Sequence, residues 1–125
     1  MRVALLLLIF PSLAFARASS DVNYKVSEAF SAALRFVRVD RHCKVTDKDG
    51  DAAFINFECE NDGKMERGAL ELFRSPKNGV RLQVTLGDQP HYIELRFLEL
   101  LERKLRDELG APPAPARAPP PDAGN

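Results

Sequence analysis

The sequence predicts an α+β domain: a helix, a four-stranded antiparallel sheet and a C-terminal helix packed on one sheet face. Three observations carry that expectation. Apolar residues recur at helical spacing at both ends of the middle region, they alternate with polar residues between those ends, and turn-forming residues cut the alternating part into four. At 125 residues, 45% of them hydrophobic, the chain has material for one such domain.

The first helix spans residues 27–38, where Phe30, Ala33, Leu34 and Val37 follow Val26 at three- and four-residue steps. Ser27 is placed to cap it, and Glu28 lies near its positive end. From residue 43 to 60 the period changes to two, around the turn-rich run Asp47-Lys48-Asp49-Gly50-Asp51, and a second break follows at Asn61-Asp62-Gly63. Residues 67–74 and 79–86 make another strand pair, joined through Ser75-Pro76-Lys77-Asn78. Val80, Leu82, Val84 and Leu86 alternate with Arg81, Gln83 and Thr85, so the sheet has one apolar face that needs a cover. Residues 90–109 supply it, with Pro90 in the first turn and Gly110 just past the end. Its apolar stripe is Leu95, Leu98, Leu101, Leu105 and Leu109, widened by Ile93, Phe97 and Leu100. Charges four residues apart, Glu99 with Arg103, Glu102 with Arg106 and Lys104 with Glu108, fall on the outer faces.

Both ends of the chain differ from the middle. Arg2, the apolar run 3–10, Pro11, and the small residues Ala14 and Ala16 form the pattern of a secretory signal peptide over residues 1–16. The apolar run is shorter than the roughly 20 residues that span a bilayer. No transmembrane segment is therefore expected after cleavage, and the product should be secreted or periplasmic. Residues 17–25 read as a polar lead-in, residues 26–110 as the domain, and residues 111–125, with six prolines and no large apolar side chain, as a disordered tail. The 18 basic and 18 acidic side chains balance, which speaks against a mainly electrostatic nucleic-acid binder.

Two cysteines in an exported chain point to a disulfide. Register tests this. Ala53, Ile55, Phe57 and Cys59 share a strand face; setting Val45 opposite Phe57 keeps both in the core and brings Cys43 opposite Cys59. Zinc is the rival reading, through His42, Cys43, Cys59 and His91. Their spacing fits no zinc pattern, and His42 and Cys43 are neighbours that point to opposite faces of a strand. Nor is there a Cys-x-x-Cys redox motif.

Asp47, Asp49 and Asp51 stand at the first, third and fifth positions of a calcium loop, with Glu58 at the twelfth. The sixth position, where such a loop needs glycine, holds Ala52, so a solvated acidic turn is the better account and calcium remains a weak candidate. There is no Gly-x-Ser-x-Gly, no phosphate-cradling glycine loop and no His-Glu-x-x-His. Glu58 and Glu60 share a strand face, which is more often solvated than catalytic. Arg35, Arg38, Arg41 and Lys44 gather near the end of the first helix and could meet an anionic surface such as lipid headgroups. Neither an enzyme nor a cofactor is expected.

The run from Phe30 to Glu60 carries Leu34-Arg35-Phe36-Val37, then Cys43-Lys44-Val45-Thr46-Asp47, then Ala53-Phe54-Ile55-Asn56-Phe57. In element order and pattern it resembles the helix-grip modules of BamC-type outer-membrane assembly lipoproteins and related small periplasmic proteins. The resemblance covers residues 26–110 and implies a binding or scaffolding part of the cell envelope. It maps no functional residue, and the lipid-bearing N-terminal cysteine of those proteins has no counterpart. The expected function is thus a small exported module that binds an envelope protein. The alternatives are a small-ligand or calcium-binding domain, and a small hydrolase with an unrecognised site.

Overall fold

A computed structural model describes residues 18–75 and 79–112. The signal peptide expected over residues 1–16 and almost all of the tail expected over residues 111–125 lie outside the described residues. The elements run β1 (Ala18–Val22), α1 (Val26–Arg35), a π-helical turn (Phe36–Asp40), β2 (Lys44–Asp49), β3 (Phe54–Asn61), β4 (Lys64–Arg74), β5 (Val80–Thr85) and α2 (His91–Leu109). The sheet is fully antiparallel with spatial order β1-β5-β4-β3-β2. Both helices cover one of its faces, so the α+β class holds.

The strand count does not: among the described residues there are five, because part of the expected lead-in forms β1. Its partners are Ala18↔Val84, Ser20↔Leu82 and Val22↔Val80. A strand at a sheet edge is held by backbone hydrogen bonds, which leave no trace in side-chain periodicity. Ala18 is buried, and the Ser20 hydroxyl donates to the Glu102 carboxylate of α2. That contact occupies Glu102, and Glu99 meets Arg96 at 3.1 Å, so of the three helix pairs expected from spacing only Lys104 with Glu108, at 3.0 Å, takes its place among the ion pairs described.

The first helix departs from expectation as well. It begins at Val26 without a side-chain cap, Ser27 falls in its first turn, and the α-helical geometry gives way at Phe36. The Arg41 N–H donates to the Phe36 carbonyl at 2.9 Å, five residues back, as a π turn requires. Three fully buried alanines, Ala29, Ala32 and Ala33, rather than the larger Phe30 and Leu34, form the inner face of α1 and let it lie close to its neighbours. Phe36 and Val37 finish that face. His42 then turns the chain into β2 with φ 53°, a left-handed conformation that histidine tolerates better than most side chains.

In α2 the stripe rotates slightly against the prediction. Phe97, Leu98, Leu101 and Leu105 are buried, whereas Leu95 is exposed and Glu94 takes an inner position. The core joins these side chains to Ile55, Phe57, Leu70, Leu72, Val80, Leu82 and Val84 from the sheet. The β3–β4 hairpin closes over Asp62-Gly63, both with positive φ, and Asn61 faces Lys64, the geometry of a two-residue turn that matches strand twist.

Charged contacts tie α1 to α2. Arg35 donates to both oxygens of Glu108, at 3.2 and 3.0 Å from its Nε, and Lys104 bridges Glu108 and Asp40 at 3.0 and 3.2 Å. The hydrogen bonds from Arg35, aided by Lys104, hold the Glu108 carboxyl down at about 2 against an ordinary 4.5. Because the folded value lies below the unfolded one, this contribution is complete above about pH 4.5 and is lost as pH falls toward 2. The stability gap between wild type and Glu108→Gln in urea titrations should therefore be widest near neutral pH and close at about pH 2; a gap independent of pH would show that the network is idle.

Candidate functional site

Val45 faces Phe57, as the register argument requires, and Cys43 is bonded to Cys59 with Cα atoms 4.5 Å apart. The pairing slips by one residue after Val45, a bulge at Thr46, so that Asp47 faces Asn56 and the connection to β3 is residues 50–53. Cys43 is anchored from the other side too: its N–H donates to the Val37 carbonyl at 2.9 Å, joining the disulfide to the π turn.

The candidate metal ligands are placed apart. Asp49 Oδ1 accepts the N–H groups of Asp51 and Ala52 at 2.8 and 3.1 Å, so this carboxylate shapes its own turn. Asp47 accepts the N–H of Lys48, and Glu58 lies across the strands from Lys44 and Arg67, with the Arg67 Nε 3.9 Å away. His42 stands in the turn before β2, while His91 opens α2, its Nδ1 3.6 Å from Glu94. Among the described residues, no three His, Cys, Asp or Glu side chains stand close enough to hold a metal ion.

The basic cluster is likewise dispersed. Arg35 is engaged by Glu108, Lys44 faces Glu58, and the Arg41 guanidinium lies 5.7 Å above the ring of Phe97. Phe97 in turn stacks on Phe57 with centroids 5.7 Å apart and planes 7° apart, and meets the Phe36 ring edge-on at 5.2 Å. Edges of Phe57 and Phe97 reach a cavity of about 260 Å³ between the β3–β4 end of the sheet and the start of α2, with the disulfide in its wall and Glu60, Glu66, Arg41 and Arg67 around it.

Gly68 opposite Phe57 is part of this construction. A Cβ at Gly68 would stand 2.3 Å from the Phe57 ring, which occupies the space a side chain would take. Gly68→Ala should push the ring off Phe97 and cost about 1–3 kcal/mol in denaturant titrations; a neutral substitution would mean the ring has room to move.

Two features escaped sequence reasoning. Glu94, only 8% exposed, accepts the Leu86 N–H at 2.9 Å and so closes the end of β5 with a side chain from α2. Nothing in the sequence singles it out, because periodicity does not reveal an orphan backbone donor nearby. The other is on the uncovered sheet face. Phe54 and Phe73 have outward parity there, and Phe73 is 44% exposed. They flank Glu71, which pairs with Phe54, and line a depression of about 310 Å³. It adjoins a second depression, of about 540 Å³, through Asn56, and Thr46, Thr85 and Arg67 line that one. Outward phenylalanines between core residues were the available signal. A third, open groove of about 760 Å³ runs between the start of α1, the Asp51 loop and the end of β4, with Lys25, Arg74 and Asp51 among its walls.

Comparison with known proteins adds little. No family model and no curated protein matches the chain. Among solved structures, the crystal structure of TTHA0849 from Thermus thermophilus is similar at 10% identity and a TM-score of 0.30, over 75% of this chain and 88% of that one. A similarity of that size carries no functional argument. Among the described residues no helix is long and apolar enough to cross a membrane.

Proposed function

We propose that this chain is an exported, non-enzymatic binding domain that meets an envelope or extracellular protein across the uncovered face of its sheet. The observation that carries the reading is the Phe54–Phe73 pair, two large apolar side chains on a face otherwise built from residues such as Ser19, Gln83, Thr85 and Asn56. Aromatic anchors set among polar neighbours are the usual composition of a protein-binding patch. Strand addition is less favoured at β2, because a bulge and the charges of Lys44, Asp47, Lys48 and Asp49 blunt that edge. The disulfide supports an oxidising destination, in keeping with the leader expected over residues 1–16. A helix-gripped sheet acting as a scaffold is also what the BamC-type resemblance implies.

The test compares wild type with the double variant Phe54→Ser/Phe73→Ser in pull-downs from envelope extract. Wild type should retain a discrete partner, and the variant should lose it by at least about tenfold, the equivalent of one hot-spot residue, with the disulfide and melting temperature kept. Equal retention by both forms, or none by either, would remove this face from consideration.

A further inference from the structure

The uncovered face of the sheet is uneven in charge, and the strand register shows where it changes. Phe54 stands between two carboxylates, Glu71 across from it on β4 and Asp49 across from it on β2. At the next outward position Asp47 lies opposite Asn56. Lys48, between the two aspartates in sequence, is opposite Ile55 and so has the other parity. Bases elsewhere on this face meet acids: Arg81, opposite Phe73, donates from Nε to Asp21 at 2.8 Å, and Lys44 and Arg67 both lie across from Glu58.

At this acidic part of the face lies the depression of about 310 Å³, lined by Ala52, Phe54, Asn56, Glu71 and Phe73. Its walls thus offer two rings, one carboxylate and one amide, and no basic side chain. The rings are accessible: Phe73 is 44% exposed and Phe54 half-buried, and among the described residues neither is stacked on another ring or covered by a cation of the chain. Phe73 is the diagonal neighbour of Phe54, which sets their β-carbons about 7–8 Å apart. A flat group in contact with both, at about 3.5–4.0 Å from each, fits that spacing. Glu71 already has an interaction within the fold, but an ionised carboxylate offers about four acceptor sites and can take further donors. An apolar side chain seated here would strip water from that carboxylate without replacing it, and an anionic one would meet three acids.

We propose that this depression receives an arginine side chain of the partner protein, its guanidinium against Phe54 and Phe73 and its N–H fork on Glu71. The inference rests on the reading that this face meets a protein, and it names the group the partner brings. Arginine suits the place better than lysine because its planar cation stacks on aromatic faces and holds a carboxylate with two parallel donors. Asp47 and Asp49 add negative potential along the approach.

NMR titration of the oxidised full chain with N-acetyl-arginine amide, and with the citrulline, lysine and leucine compounds blocked in the same way, tests this. The arginine compound should saturate at millimolar concentration and shift the signals of Ala52, Phe54, Asn56, Glu71 and Phe73. Citrulline, which has the shape without the charge, and leucine should bind at least about tenfold more weakly, and lysine about threefold more weakly. Phe73→Leu, which keeps apolar area and deletes the ring face, should weaken arginine about threefold. Glu71→Gln should cut the advantage of arginine over citrulline to about twofold or less. Should either variant melt early, the four-compound series on wild type decides alone. No saturation by arginine up to about 50 mM, shifts that leave Phe54 and Phe73 untouched, or lysine binding as tightly as arginine would overturn the assignment. A partner held through Phe54 and Phe73 that about 50 mM of the arginine compound fails to displace would overturn it too, while leaving the protein-binding face standing. Saturation by arginine with no partner retained would support this subsite and count against that face as a protein-binding surface.

Discussion

Phe97→Ala is expected to be the most damaging single substitution in this chain, at about 3–5 kcal/mol. Phe97 is 2% exposed and touches Phe36 from the π turn, Phe57 from β3 and the guanidinium of Arg41. Removing the ring deletes its transfer energy, leaves a void that three separate elements cannot collapse together to fill, and ends two ring–ring contacts worth about 0.5–1.5 kcal/mol each. Against a total stability of about 5–15 kcal/mol for a domain of this size, the loss is a large fraction. Urea denaturation followed by far-UV circular dichroism measures it. A cost below about 1.5 kcal/mol, the range of a tolerated core swap, would mean that the aromatic cluster is not the joint between helices and sheet. Phe36→Ala and Phe97→Ala combined should fall short of the sum of the two single costs, because they share one contact.

The second large effect is loss of the disulfide. Cys43 and Cys59 stand 16 residues apart, and closing a loop of that length stabilises the fold by about 3 kcal/mol in the chain-entropy account. Cys43→Ala/Cys59→Ala should lower the melting temperature by roughly 10–20 °C. The loss should also be uneven. β2 buries little of its own, with Val45 half-buried and its other residues exposed, so its attachment rests on the ladder to β3 and on the sulfur bridge. Hydrogen exchange in the double variant should accelerate first in residues 41–49, while β4 and β5 keep their protection. Coincident melting of the reduced and oxidised protein, with unchanged exchange in β2, would show that the bridge contributes nothing.

Much of this arrangement is readable in the residues themselves, and the disulfide shows why. A period of two limits a half-buried hairpin to registers of one parity, and within that set the one that pairs Val45 with Phe57 also brings the cysteines together. The bulge at Thr46 alters the pairing only beyond Val45, so it leaves the bridge in register. Glu94 shows the opposite case. Its partner is the backbone N–H of Leu86, a group that every residue but proline carries, so no pattern of side chains could have marked it. β1 is a failure of the same kind. Ala18-Ser19-Ser20-Asp21-Val22 has little apolar signal, and it becomes a strand because β5 presents an open edge next to α2.

What the amino-acid order determined by itself, then, is the class of fold, the two apolar faces that meet in the core, and the covalent bridge. Each of these depends on side chains whose spacing is set within one element or one hairpin. Tertiary structure alone decided the fifth strand, the inward Glu94, the π turn that lays Arg41 on Phe97, and the cavity beside the disulfide. Those features depend on backbone groups, or on elements far apart in the chain, meeting in space, and such meetings are selected by the packing of the whole domain rather than by any local repeat.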